Sequence, residues 1–258
     1  MSAETPRIVP GLHVLVRTEL LKLATTRAPW VLAAAALVLT TLLALQPVTR
    51  SGRDGTPSIG TVGAALGVID AVGRGALVAL LVGVLVVTSE FRHQTVATTL
   101  LSTPNRIQLV VAKSAASSLV GLTLGIAALL IMLGIGTVSG ALRPELVNSD
   151  IAVRVLGLAL TYPLYALLGS AAGALLNGNQ PLAVILPIVW LLGAESLAMS
   201  ALPRPARTWS IEGVSNALQH AGNMPYLLPV WLGGAALLTY ALVLLASAAF
   251  QLNRTDIT

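Results

Sequence analysis

Two long apolar runs separated by one polar island constrain this chain more than any other feature. From Ile59 to Thr88 the only charged residues are Asp70 and Arg74, and from Ile107 to Ser139 the only one is Lys113. Between the runs stands EFRHQTVATTLLSTPNR, Glu90 to Arg106. A helix needs about 20 apolar residues to cross the hydrocarbon core, so the island has to sit at a membrane surface. Its residues favour a helix there. Thr88 or Ser89 can cap the start, Glu90 then falls in the first turn where the helix dipole favours an anion, and Pro104 ends it. Phe91, Thr95, Thr98 and Thr99 recur at helical spacing, with Val96, Leu100 and Leu101 on the adjoining face. The pattern predicts a short amphipathic helix over about 90–104, lying beside the bilayer.

The rest of the chain is as apolar as this stretch. Charged residues make up 10% of the 258 and hydrophobic ones 55%, whereas soluble domains carry about 25% charged residues. Six candidate spans follow: Pro29–Leu45, and one within each of 59–88, 107–139, 151–176, 181–202 and 226–252. The expected fold is an all-α integral membrane protein of six transmembrane helices. Its parts are a cytosolic N-terminal segment (1–28), the six-span body (29–252) and a cytosolic tail (253–258). As a helix, Ile59–Thr88 would be about 45 Å long, too long for one upright span. Its outer end either projects from the bilayer or breaks at Gly73 or Gly75. Between Pro203 and Pro225, TWSIEGVSNALQH can form short interfacial or re-entrant helices, with Trp209 at headgroup level.

Several chemistries are excluded. With no cysteine there is no disulfide or thiolate site, and His13, His93 and His220 are too scattered to form a metal-ligand set. The net charge of +5 is spread over termini and loops, a distribution that suits lipid headgroups rather than nucleic acid. No GxxxxGK[ST] phosphate loop occurs. The chain is therefore expected to bind no cofactor itself and to be no enzyme.

The N-terminal stretch reads as an interfacial helix rather than a cleaved signal, because the apolar run begins only at Pro29. Leu12, Leu15, Val16, Leu20 and Leu23 share one face, and Glu19 intrudes on it. That acid either reaches a partner or a basic residue of the island helix, or snorkels to water. Arg17, Lys22 and Arg27 precede the first span, and the island's side carries a slight excess of Lys and Arg. Both biases place the termini and the island in the cytosol.

Charged residues inside spans are functional candidates. Asp70 and Arg74 share a helix face one turn apart and can form a structural ion pair. Glu195 either lines a path or pairs with Arg204 or Arg207. Four pairs of glycines at four-residue spacing, Gly63/Gly67, Gly121/Gly125, Gly136/Gly140 and Gly169/Gly173, offer close helix approach.

The segment VRTELLKLATTR (Val16–Arg27), a span, a second span ending in EFRHQTVATTLLSTPNR, and an early Lys113 together resemble the permease subunits of type-2 ATP-binding-cassette exporters. The resemblance is sharpest at Glu19, Lys22 and Arg27, at Glu90, Arg92, Thr95, Leu100, Leu101, Pro104 and Arg106, and at Lys113. Gln94 stands where a glycine is common. The resemblance implies an amphipathic helix at the cytosolic surface, followed by a coupling helix that rests in a cleft of a separate ATPase. Glu90, Phe91, Arg92, His93 and Thr95, with Leu100, Leu101, Pro104 and Arg106, would make that contact. It further implies a pair of permeases, two ATPase copies carrying ATP and Mg, and the plasma membrane of a bacterium, with both termini cytosolic. The mostly apolar spans favour export of an amphipathic compound such as a drug, an antibiotic or a lipid-like molecule. A motor-independent secondary transporter or an intramembrane enzyme is the other class, although a carrier would want more intramembrane acids than Asp70 and Glu195.

Overall fold

Apolar sequence with few helix breakers produces long helices, and two of the interruptions in this chain fall at Gly75 and Gly193. The structure is a computed structural model and describes residues 11–92, 106–176, 180–219 and 227–254. Helix α1 is Leu12–Thr25, and a single extended residue, Thr26, joins it to α2, Arg27–Thr49. Helices α3 (Val62–Arg74) and α4 (Ala76–Arg92) follow, separated by Gly75 alone, and α5 is Arg106–Val138. A 3-10 turn at Pro144–Leu146 precedes α6, Ser149–Leu175. Four shorter helices come next: α7 (Gln180–Val189), α8 (Glu195–Ser200), α9 (Arg204–Arg207) and α10 (Ile211–Leu218). Helix α11, Val230–Arg254, closes the chain.

Among the described residues, five helical stretches are long and apolar enough to cross a membrane: Arg27–Thr49, Val62–Thr88, Ile107–Val138, Ser149–Leu175 and Val230–Gln251. The expected span over 181–202 is not one continuous helix. Pro187 removes a backbone donor within α7, and a wide-turn segment, Trp190–Ala194, follows with Gly193 outside helical geometry (φ 169°, ψ −24°). The break foreseen at Gly73 or Gly75 occurs at Gly75, between α3 and α4.

The island divides differently from the expectation. No helix starts at Thr88 or Ser89, because α4 runs unbroken through Arg92 and the Thr88 hydroxyl donates to the Val84 carbonyl at 3.0 Å instead of capping. Glu90, Phe91 and Arg92 therefore belong to the end of α4, while Arg106 opens α5. His93, Thr95, Leu100, Leu101 and Pro104 lie outside the described residues.

Helix α6 is the centre of the bundle, packed against α4, α5 and α11. Its start is fixed by Asn148, whose side chain accepts from the Ile151 N–H at 2.9 Å. Close approach rests on glycines. A Cβ at Gly169 would lie 2.0 Å from the Leu80 carbonyl oxygen, and one at Gly83 would lie 2.1 Å from that of Ala166, so α4 and α6 touch backbone to backbone. Gly121 meets α6 in the same way at Tyr162, Pro163 and Ala166. At the island end Val87, Ala174 and Ala248 bury together, uniting α4, α6 and α11. At the other end the Tyr240 hydroxyl donates to the Trp209 carbonyl at 2.6 Å, and Leu218 backs onto Gly157.

Of the four glycine pairs, Gly121/Gly125 and Gly169/Gly173 are helix contacts. Gly63 abuts Pro57, and Gly140 turns the chain after α5 with φ +74°. A Gly169→Ala substitution should therefore destabilise the protein by about 1–3 kcal/mol, as overpacking does. Gly134→Ala, where a Cβ meets nothing within 4 Å, should be neutral or stabilising by about 0.5 kcal/mol. Thermal loss of monodisperse protein in detergent compares the two, and equal behaviour would refute the close-contact assignment.

Candidate functional site

Two polar assemblies stand out, one at each end of the bundle. At the island end, α1 turns the face bearing Leu15 and Glu19 inward against α5. Glu19 is 5% exposed, and its Oε2 accepts from Lys113 Nζ at 2.7 Å while its Oε1 accepts from Lys22 Nζ at 2.8 Å. Lys113 is equally buried, whereas Lys22 is partly open. Of the alternatives for Glu19, snorkelling to water is overturned: Lys113 on α5 supplies a cation inside the packing, so the acid faces inward. Arg27 is exposed at the α1–α2 elbow, where Trp30 Nε1 donates to the Ala24 carbonyl at 3.0 Å and holds the joint.

Lys113 lies two turns into α5, just past the island, so the pair ties α1 to the helix that leaves the island. Removing one partner of a buried pair costs about 3–5 kcal/mol, because it strands the other charge away from water. Glu19→Gln should thus lower stability by about 3 kcal/mol. The Glu19→Leu/Lys113→Met double variant should lose clearly less than the sum of its single variants. Thermal unfolding of all four proteins in detergent closes the cycle, and strict additivity would mean that the two charges do not interact.

At the far end, the break at Gly75 is lined with hydroxyls. Tyr162 donates to the Val72 carbonyl at 2.9 Å, and that carbonyl also accepts the Gly75 N–H at 2.9 Å. A Cβ at Gly75 would meet Thr40 Oγ1 at 2.6 Å and the Tyr162 hydroxyl at 2.8 Å. Helices α2, α3 and α6 therefore converge on the break. Beside it opens a cleft of about 900 Å³ between α2, α3 and α10, a volume in the range of small-molecule sites. One part of its wall is apolar, from Leu39, Leu43 and Leu77. The other part carries Gln46, Arg50, Asp70, Arg74 and Glu212, with Ser215, Asn216 and Gln219 behind them.

The ion pair expected between Asp70 and Arg74 does not form. Arg74 is exposed at the end of α3, whereas Asp70 is half-buried, with the Arg154 guanidinium of α6 and the more weakly acting Arg74 as the cations near it. Arg154 is 3% exposed and gives its Nε to Asp150 at 3.1 Å, but its Nη1 and Asp70 Oδ1 are both buried without a hydrogen-bond partner.

Glu195 does not line the cleft. It is 2% exposed, and its Oε1 accepts the Glu212 backbone N–H at 3.0 Å, while Ser210 Oγ accepts that of Gly213 at 2.9 Å. The acid on α8 thus caps the N-terminus of α10, where a helix dipole favours negative charge. Arg207 is not its partner, since Nε and Nη2 donate to the carbonyls of Leu202 and Ser200 at 3.1 and 2.8 Å. Sequence reasoning passed over Arg50, Arg154 and Glu212. For Glu212 a signal was present, an acid in the first turn after the N-cap Ser210.

No family model and no curated protein matches the chain. The two assemblies rest on their own geometry.

The capping role predicts different outcomes at Glu195. Glu195→Gln keeps a carbonyl acceptor for Glu212 N–H and should retain the fold. Glu195→Leu removes it and should cost about 1–2 kcal/mol, as cap deletions do. Limited proteolysis between Pro203 and Trp209 reads the difference, and equal cleavage of both variants would remove the cap assignment.

Proposed function

We propose that this chain is the membrane-spanning subunit of an ATP-driven exporter of the type-2 ATP-binding-cassette kind. It acts as a pair of permeases in the plasma membrane of a bacterium, with both termini cytosolic, and moves an amphipathic compound outward. ATP and Mg are held by two copies of a separate ATPase that rests on the island between α4 and α5.

The observation that carries this reading is the buried Glu19–Lys113 pair at 2.7 Å. A motor pushing on the island delivers force to the end of α4 and the start of α5, and a rigid bundle is needed to convert it into helix movement. The pair makes α1, the surface helix, part of the same body as α5. Helix α4 in turn is locked backbone to backbone against the central α6, so displacement at the island reaches the bundle core. A carrier driven by ions is less favoured, because Glu195 is engaged in capping α10 and Asp70 alone of the two span acids faces the cleft.

The test is affinity purification of the tagged full-length chain from its native membranes, scoring Mg-dependent ATPase activity and recovery of a nucleotide-binding polypeptide. Wild type should bring both. Reversing Glu90→Lys with Arg92→Glu should lower recovery by about tenfold, since a charge facing its own sign across an interface costs several kcal/mol. Membrane insertion should be unchanged. Equal recovery from wild type and the reversal would remove the coupling role of the island.

A further inference from the structure

The cleft at the far end carries charge of both signs with no ion pair among its lining residues, although the Arg154 guanidinium of α6 lies near Asp70. Arg50 and Arg74 supply two cations, and Asp70 and Glu212 two anions, all four lining one space. Among the described residues none of the four makes an ion pair, either with another member of the set or with any other side chain. Arg50, Arg74 and Glu212 are exposed, and Asp70 Oδ1 is buried with no hydrogen-bond partner. Asp70 nevertheless lines the cleft, so a cation held there adds to the attraction that Arg154 already exerts on its carboxylate.

The same cleft changes character along its length. On α2 the lining runs from Leu39 and Leu43 through Gln46 and Pro47 to Arg50. At about 1.5 Å per residue the step from Leu39 to Gln46 is about 10 Å of largely apolar wall before the charges begin. Leu77 of α4 extends that apolar part on the facing side. Helix α2 also leaves Leu39, Leu42 and Leu45 exposed, so the apolar part of the cleft adjoins a lipid-facing surface.

We propose that this cleft binds a zwitterionic amphiphile. Its anionic group is taken by Arg50 and Arg74, its cationic group by Asp70 and Glu212, and its chain lies along Leu39, Leu43 and Leu77. The proposal rests on the exporter reading and deepens it by naming the substrate class: a molecule with both charges in its head and an apolar tail. A ligand with a single charge would leave the opposite pair of protein charges unmatched, and specificity follows from that mismatch.

The test uses the full-length chain in maltoside detergent with three photoreactive dodecyl probes: phosphocholine (zwitterionic), phosphate (anionic) and trimethylammonium (cationic). Cross-linked peptides are then mapped. The zwitterion should label α2 between Leu39 and Pro47 about fivefold more than either singly charged probe, the discrimination expected from two partly exposed charge pairs. Arg50→Gln should shift the preference toward the cation, and Glu212→Gln toward the anion. Both positions are exposed, so neither change threatens folding. Equal labelling by all three probes, or an unchanged ranking in both variants, would overturn the proposal.

A second arm separates the sources of the head group, using the chain reconstituted in vesicles with a photoreactive diacyl phosphatidylcholine or with the single-chain probe. Labelling by the diacyl probe assigns the cleft to a bilayer lipid, and labelling by the single-chain probe alone assigns it to a free amphiphile. Both support a zwitterion site, and labelling by neither refutes it. No ATPase or nucleotide is present in these arms, so their failure leaves the coupling experiment standing, and failure of that experiment leaves theirs.

Discussion

The contact on which the bundle depends is the backbone approach of α4 to α6. Gly83 and Gly169 lie against the facing carbonyls with no room for a single carbon between. In a membrane the hydrophobic effect does not draw helices together, because lipid tails are as apolar as leucine, and close packing of small residues takes its place. Once α4 is fixed to α6, the positions of α5 and α11 follow, since both pack against α6. Ser170 adds a polar tie to Ser114 on α5 at 3.2 Å, buried like the contact it supports.

Around that apolar frame the buried polar groups serve distinct purposes. Glu19 and Lys113 satisfy each other and join a surface helix to a spanning one. Glu195 gives one oxygen to the start of α10, and so fixes the helix that forms one wall of the cleft. Tyr162 covers the carbonyl exposed where α3 gives way to α4. Each is a side chain from one element completing the hydrogen bonding of another, as the scarcity of water at membrane depth demands. Arg50, Asp70, Arg74 and Glu212 depart from the pattern, because they face a cavity instead of each other.

Much of the architecture was legible in the sequence. Apolar run length located the long helices, and the excess length of Ile59–Thr88 pointed to a break that falls at Gly75. The run over 181–202 is not matched by one continuous α-helix, because Gly193 leaves helical geometry within it, and length and apolarity alone do not register that. The island's expected N-cap failed for a local reason: a threonine hydroxyl in a continuous helix bonds to the carbonyl one turn back, and nothing in the spacing distinguishes that from capping. Glycine spacing was informative at Gly121 and Gly169 but misleading at Gly63, which begins α3 against Pro57 of the preceding loop, and at Gly140, which falls in a turn. The cation that Glu19 binds and the one near Asp70 were out of reach, since Lys113 and Arg154 are distant in the chain and only the fold brings them near.

The placement of the Glu19–Lys113 pair has an evolutionary corollary. Both residues lie outside the stretch between α4 and α5, one far upstream and one just downstream. The connecting segment can be lengthened, shortened or rewritten without loosening the brace that holds the surface helix to the bundle. A lineage could therefore exchange the part of the chain that meets a cytosolic partner while inheriting the rest of the molecule unchanged, so that adaptation to a new partner need not disturb the membrane-embedded body.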